Sequence, residues 1–232
     1  MRFILVASIL ASSLILSTAQ GQQGKERYAP NEIAMLPDYC QDLMTDYGKA
    51  RRKWASVLGP TVDHTHHYCR GLIKMMRAQR LFSVPAQHRR TYWSSAVNEI
   101  SYTIRNATPD FVLLPELYYK RGISQSNAGK VKEAEADFLR AIQILPTYDI
   151  AYVQLAGLYR QYGRVDRASE VVSKGLEHVP ESKVLRDLQS ELQRSNAATK
   201  ASRRTEPPSV GATPIETPAD GGQTGEATPQ SK

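Results

Sequence analysis

The chain repeats itself. Pro115–Tyr148 and Asp149–Ser182 register as two adjacent blocks of 34 residues without a gap. Seven places agree in kind: Tyr118 with Tyr152, Gly122 with Ala156, Gly129 with Gly163, Ala134 with Ala168, Phe138 with Val172, Ala141 with Gly175 and Pro146 with Pro180. A fixed period of this length marks one supersecondary unit stacked on copies of itself. Its pattern reads as a helical hairpin. Small residues at the eighth, twentieth and twenty-seventh places let two antiparallel helices approach closely, and large apolar ones at the fourth and twenty-fourth fill the space between. The glycines turn the chain and the prolines stop each second helix.

With these residues in view, 115–182 resembles the tetratricopeptide repeat (TPR) family. The departures are Arg121 and Gln125, at the seventh and eleventh places where the family prefers apolar side chains; the second block has Leu155 and Tyr159 there. The first block is therefore expected to lean on a neighbour that accepts polar groups. A damaged third copy lies upstream. His67–Leu72 echoes Tyr118–Ile123, and Ser95–Ile100 echoes the second-helix pattern around Ala134 and Ala168. Gly71 to Ala96 spans 25 positions against 12 in the regular copies, which places an insertion of 13 residues near Gln79–Arg90. After the repeats, Val184, Leu185, Leu188 and Leu192 fall on one stripe of Lys183–Arg194, a terminal helix that would cap the stack.

The resemblance implies an all-α fold, a short right-handed TPR α-solenoid of two regular repeats, one degenerate repeat and a C-terminal cap helix, preceded by an N-terminal helical extension. The boundaries run 1–21 for a signal peptide, 22–60 for the extension and 61–114 for the degenerate pair with its insertion. The repeats take 115–148 and 149–182, the cap 183–195, and a disordered tail 196–232. By the same resemblance the first helices line a concave groove that binds a protein or peptide partner. Carried over place by place, the groove residues are Glu116, Tyr119, Lys120, Ile123, Ser126 and Asn127, then Ile150, Val153, Gln154, Gly157, Arg160 and Gln161. The lysine–asparagine set with which some TPR domains clamp a terminal carboxylate is absent, because Tyr119 and Val153 hold the fifth places. A competing expectation fills the groove with the chain's own extension or with a second copy of the chain.

The ends differ from the middle. Arg2 precedes Phe3–Leu16, fourteen residues made only of apolar side chains and serine. That is the length of a signal-peptide core and short of the roughly 20 residues of a membrane span. Small residues follow, with cleavage expected after Ala19 or Gly21, and an uncleaved signal anchor is the competing reading. The expected location is exported, periplasmic or secreted. From Asn196 onward the chain holds five of its thirteen prolines and no aromatic residue, so it has little apolar area to set against its ordering entropy.

Charge is also uneven. The net +7 is concentrated between Lys49 and Arg90, where ten basic residues face Asp63 alone, whereas 112–195 holds twelve basic and eleven acidic residues. No aromatic stacking residues are interleaved with those arginines as single-strand binding requires, so nucleic acid is not expected as a partner. An acidic partner, a membrane surface or a solvated face stays open for this segment.

Within 22–60, Pro37-Asp38 opens a helix with Tyr39, Leu43, Met44 and Tyr47 on one face; Gly48 is expected to interrupt it, with Lys49–Leu58 continuing. Cys40 and Cys69 are the only cysteines. An even count and an oxidising destination favour a disulfide between them; two buried free thiols or functional thiol chemistry are the alternatives. The run Asp63-His64-Thr65-His66-His67-Tyr68-Cys69 offers a second function, a metal-binding or redox accessory protein with His64, His66 and Cys69 as ligands and a fourth such as His88. Against that stand capping by Asp63 and packing by His67. The chain has no Cys-x-x-Cys-His, Gly-x-Ser-x-Gly, His-Glu-x-x-His or phosphate-cradling glycine loop. The expectation is a non-enzymatic adaptor without a cofactor, with a role in envelope or secretion assembly.

Overall fold

The computed structural model describes residues 28–81 and 83–205, with side chains through 198. The expected signal peptide, 1–21, and the tail from 206 lie outside the described residues. Ten α-helices follow one another and no strand occurs among the described residues. The extension supplies α1 (Pro30–Ile33), α2 (Asp38–Thr45) and α3 (Tyr47–Leu58), then a single 3₁₀ turn at Gly59–Thr61. The hairpins are α4 (Val62–Arg80) with α5 (Ala86–Asn106), α6 (Leu114–Asn127) with α7 (Val131–Ile144), and α8 (Asp149–Gln161) with α9 (Val165–His178). The last helix, α10 (Lys183–Thr205), packs on both α8 and α9. Each hairpin also packs on the next, α5 against α6 and α7 against α8, which is the all-α solenoid the repeat implied.

The two regular repeats are bounded alike because their caps are chemically alike. Gly129 and Gly163 adopt φ of 86° and 71°, the left-handed region in which a side chain would be strained. In the first repeat Lys130 N donates to Gln125 O at 2.8 Å and Gly129 N to Ser126 O at 3.0 Å. In the second, Arg164 N donates to Tyr159 O at 2.8 Å and Gly163 N to Arg160 O at 3.0 Å. This reciprocal pair satisfies the carbonyls left open at a helix end. The helices then interlock through small residues. A Cβ on Gly122 would lie 2.7 Å from the buried Phe138 ring, and one on Gly175 would lie 2.9 Å from Tyr152 and Leu185.

The polar seventh place finds its neighbour. Arg121 forks onto Asp137 of α7 at 2.6 and 2.7 Å and donates to Ser101 of α5 at 3.2 Å. Both charged side chains are largely buried, so one charge without the other would be strongly unfavourable.

One expectation takes shape and two are corrected. The extra residues of the degenerate repeat go mostly into helix. They lengthen both helices, α4 to 19 and α5 to 21 residues against 14 in α6 and α7, so the hairpin projects past the regular turns. The break in the extension falls at Asp46, not Gly48, because the Asp46 carboxylate caps α3 by accepting from Lys49 N at 3.1 Å. The cap helix runs to Thr205 rather than 195; the Ala-, Lys- and Arg-containing stretch 197–204 favours helix, and the next proline is Pro207.

The interlock yields a paired expectation. Gly122→Ala should destabilise by about 1–3 kcal/mol by overpacking the Phe138 ring. Gly157→Ala, whose added methyl meets nothing within 4 Å, should be neutral or stabilising by up to about 1 kcal/mol through helix propensity. Urea denaturation of both variants checks it; equal shifts would deny the interlock.

Candidate functional site

The concave face is built by α4, α6 and α8, and its expected residues do not share one setting. Ile123, Ser126 and Asn127 of α6 come together with Gln154, Gly157 and Gln161 of α8 around an open hollow of about 200 Å³ whose floor is Phe138 and Leu158. Glu116 and Lys120 instead line a second hollow of about 210 Å³ with Leu36 and Pro37 of the extension and Met75 and Met76 of α4. Arg160 turns the other way and pairs with Glu191 of α10 at 2.6 Å. Ile150 is half-buried against the hydrophobic core of the regular repeats and Val153 is half-buried on α8.

Tyr119 requires a correction. It is only 9% exposed, with Tyr148 edge-on at 5.5 Å and Phe138 at 6.5 Å between ring centres. It is a packing residue rather than an open groove position, with little surface left for a partner. The reason is a nest of phenols around Glu116. Tyr68, fully buried on α4, donates to Glu116 Oε1 at 2.6 Å. Burial, reinforced by the Glu116 charge, pushes the Tyr39, Tyr68, Tyr119 and Tyr148 hydroxyls upward.

The extension closes that end of the groove. Cys40 of α2 and Cys69 of α4 stand in disulfide geometry, with Cα atoms 5.4 Å apart, and both are buried. A bridge between cysteines 29 residues apart in sequence contributes about 3–4 kcal/mol on the chain-entropy model. Charge pairs hold the same docking. Glu32 takes Arg77 at 2.7 and 2.8 Å, which brings its carboxyl down to about 2. Arg51 and Tyr47 both reach Asp63, and Lys53 and Trp54 both reach Asp42. Asp63 is therefore a tether for α3 rather than the cap of α4, whose N-cap is Thr61. Among the described residues, five of the ten basic residues between 49 and 90 are in ion pairs: Lys49, Arg51, Lys53, Lys74 and Arg77.

The histidine run packs instead of ligating. The ligand set His64, His66 and Cys69 is not assembled, because the Cys69 sulfur faces Cys40 and His88 is exposed at the far start of α5. His64 faces Tyr102 edge-on, His67 stacks on Tyr102 at 4.0 Å, and His67 Nδ1 lies 2.6 Å from Glu99. Among the described residues no three His, Cys, Asp or Glu side chains are placed to hold a metal. His66 is half-buried beside Tyr47, and burial, then His67 and Arg70, lower its pKa to about 4. It lines a cleft of about 810 Å³ between the extension and the α4–α5 hairpin, with Leu43, Met44, Arg70 and Glu99. Sequence reasoning missed this cleft. The signal available was Arg70, which takes the seventh place of its repeat as Arg121 does.

A tetratricopeptide-repeat profile matches residues 127–192. An uncharacterised protein of Methanocaldococcus jannaschii, MJ0572, is 38% identical over 61 residues, which are 26% of this chain and 71% of that protein. The chain belongs to the tetratricopeptide-repeat family. Among solved structures, TTC0263, a thermophilic TPR protein of Thermus thermophilus, superposes with a TM-score of 0.51 at 18% identity, covering 71% of this chain and 81% of that one. The first TPR of Spaghetti (RPAP3), bound to the HSP90 peptide SRMEEVD, gives a TM-score of 0.39 at 16% identity over 55% of this chain and 96% of its own. The TPR profile begins at the last groove residue of α6, so the degenerate repeat and the extension lie outside it.

The depressed His66 fixes a pH dependence. An unfolded histidine takes its proton near pH 6.5, the folded one only near 4. The unfolded chain thus binds more protons in between, and stability is full above pH 6.5 and falls as pH drops toward 4. Urea midpoints measured from pH 7 to 4.5 should decline in the wild type and decline less in His66→Gln. Parallel curves would remove His66 as the cause.

Proposed function

We propose that this TPR protein is an exported, non-enzymatic scaffold that holds a protein or peptide partner in the section of its concave groove between α6 and α8. The observation that carries the reading is the hollow itself. Apolar Ile123 and Leu158 meet Ser126, Asn127, Gln154 and Gln161 around a place where Gly157 leaves the surface open. An apolar floor with a hydrogen-bonding rim suits a side chain presented by a peptide or an amphipathic helix. The amide rim is uncharged, so selection there rests on shape and hydrogen bonding. TPR repeats generally serve as non-enzymatic interaction surfaces, which supports the scaffold reading, and assembly of an envelope or secretion apparatus is the process proposed.

Gly157→Arg should fill the hollow from a position with free space around it, leaving the fold intact. Partner recovered by cross-linking from an envelope extract should fall at least tenfold, about 1.4 kcal/mol, while Glu181→Ala, outside the groove, should change recovery little. Equal recovery with both variants would place the working surface elsewhere.

Export is proposed from Arg2 and the apolar run Phe3–Leu16, and the disulfide geometry of Cys40 and Cys69 supports an oxidising destination. Intact mass of the native protein should lack the first 19 or 21 residues, with no free thiol. A full-length mass with two alkylatable cysteines would overturn this part alone.

A further inference from the structure

The seventh place of the repeat carries an arginine twice, and the two arginines have different fates. In the first regular repeat Arg121 forks onto Asp137, three residues after the small residue Ala134. In the degenerate repeat the same places hold Arg70 and Glu99, since Glu99 stands three residues after Ala96. The backbone register is kept: a Cβ on Gly71 would meet Ile100 at 2.8 Å, as one on Gly122 meets Phe138. Yet Arg70 does not take Glu99. His67 Nδ1 lies on Glu99 Oε2 at 2.6 Å and Lys74 Nζ on Oε1 at 3.5 Å. Arg70 is left half-buried, with no ion pair among the described residues, on the wall of the 810 Å³ cleft.

Glu99 lines the same cleft, but its oxygens are engaged by His67 and Lys74, so the half-enclosed guanidinium gains from an anion that reaches it. The cleft gives such an anion a body as well as a head site. Leu43 and Met44 of α2 form an apolar wall, and the Tyr28 and Tyr47 rings stand at its edge. His66, uncharged at neutral pH, lines the cleft with Arg70. The volume falls in the range of small-ligand sites, roughly 300–1,000 Å³. The two walls come from different segments, and the Cys40–Cys69 pair joins them next to Arg70.

We infer that this cleft is a second binding site, separate from the groove, for a carboxylate carried on an apolar body, with Arg70 as the anion receptor and Leu43 and Met44 as the apolar wall. The same chemistry arises from a free aliphatic acid or from the C-terminus of an apolar peptide. The test titrates the oxidised protein with four probes: decanoate, 1-decanol, acetyl-Leu-Leu-Leu as free acid, and its amide. Calorimetry should find saturable one-to-one binding of an acid at least tenfold tighter than of its neutral counterpart. The decanoate pair or the peptide pair showing that preference identifies the source. Arg70→Gln should abolish the preference, Arg70→Lys should keep part of it, and Arg52→Gln, at an exposed arginine, should leave it unchanged. Met44→Trp should block both acid and neutral probes by filling the cleft. Absence of saturable binding by either acid overturns the inference. So does equal affinity for acid and neutral probes, or binding that Arg70→Gln and Arg70→Lys leave as it was. None of these results bears on the α6–α8 groove, which Gly157→Arg reads separately.

Discussion

The close approach of helices through paired small and large residues is what the rest of the molecule depends on. The two regular repeats solve the same volume problem with different divisions. In the first, Gly122 faces Phe138; in the second the equivalent residues are Ala156 and Val172, both fully buried. A methyl gained on one helix is balanced by a ring lost on the other. The glycine reappears at the twenty-seventh place, where Gly175 admits Tyr152 and Leu185, while the first repeat has Ala141 there. Interiors packed to crystal-like density tolerate such exchanges when the total volume is conserved. That is why a period survives in which few identities do.

The repeats were legible for this reason; of the extension, the two longer helices and the Cys40–Cys69 pair were legible, and the rest of its docking was not. Gly129, Gly163, Pro146 and Pro180 punctuate the sequence at fixed intervals, and each acts locally, so the helix limits follow from the residues nearest them. The docking of α1–α3 follows from contacts between different segments of the chain: Glu32 with Arg77, and Tyr47 and Arg51 with Asp63. No periodicity announces such pairs. The excess of basic residues between Lys49 and Arg90 is partly balanced locally: among the described residues half of them meet carboxylates, four of these on the extension or in the α4 turn beside it. Asp46 and Asp63 each displaced an expectation because a short carboxylate can cap a helix or pair across helices, and only the fold decides which.

Burial also redefined the groove residues. A family register says which face a place occupies, and it assumes that face is open. Here the extension lies on the α4 end, so Tyr68 and Tyr119 become walls around Glu116. At the other end α10 draws Arg160 to Glu191. Ile123, Asn127, Gln154 and Gln161 line the hollow that lies between the two covers.

A groove closed from both ends limits what a partner can gain from it. Adjacent first helices lie about 8–10 Å apart, which an extended peptide crosses in about three residues at roughly 3.3 Å each. Stable specific interfaces bury about 800 Å² on each partner, and a hollow of about 200 Å³ receives one or two side chains. On the proposed reading the hollow would serve as a specificity pocket inside a larger contact, or as one of several engaged together. In the second case the effective concentration set by linkage, rather than the pocket's own affinity, determines occupancy. The arrangement suits a scaffold that holds a repeated or tethered partner weakly at each point, and it follows from the same short solenoid whose ends are covered by α2 and α10.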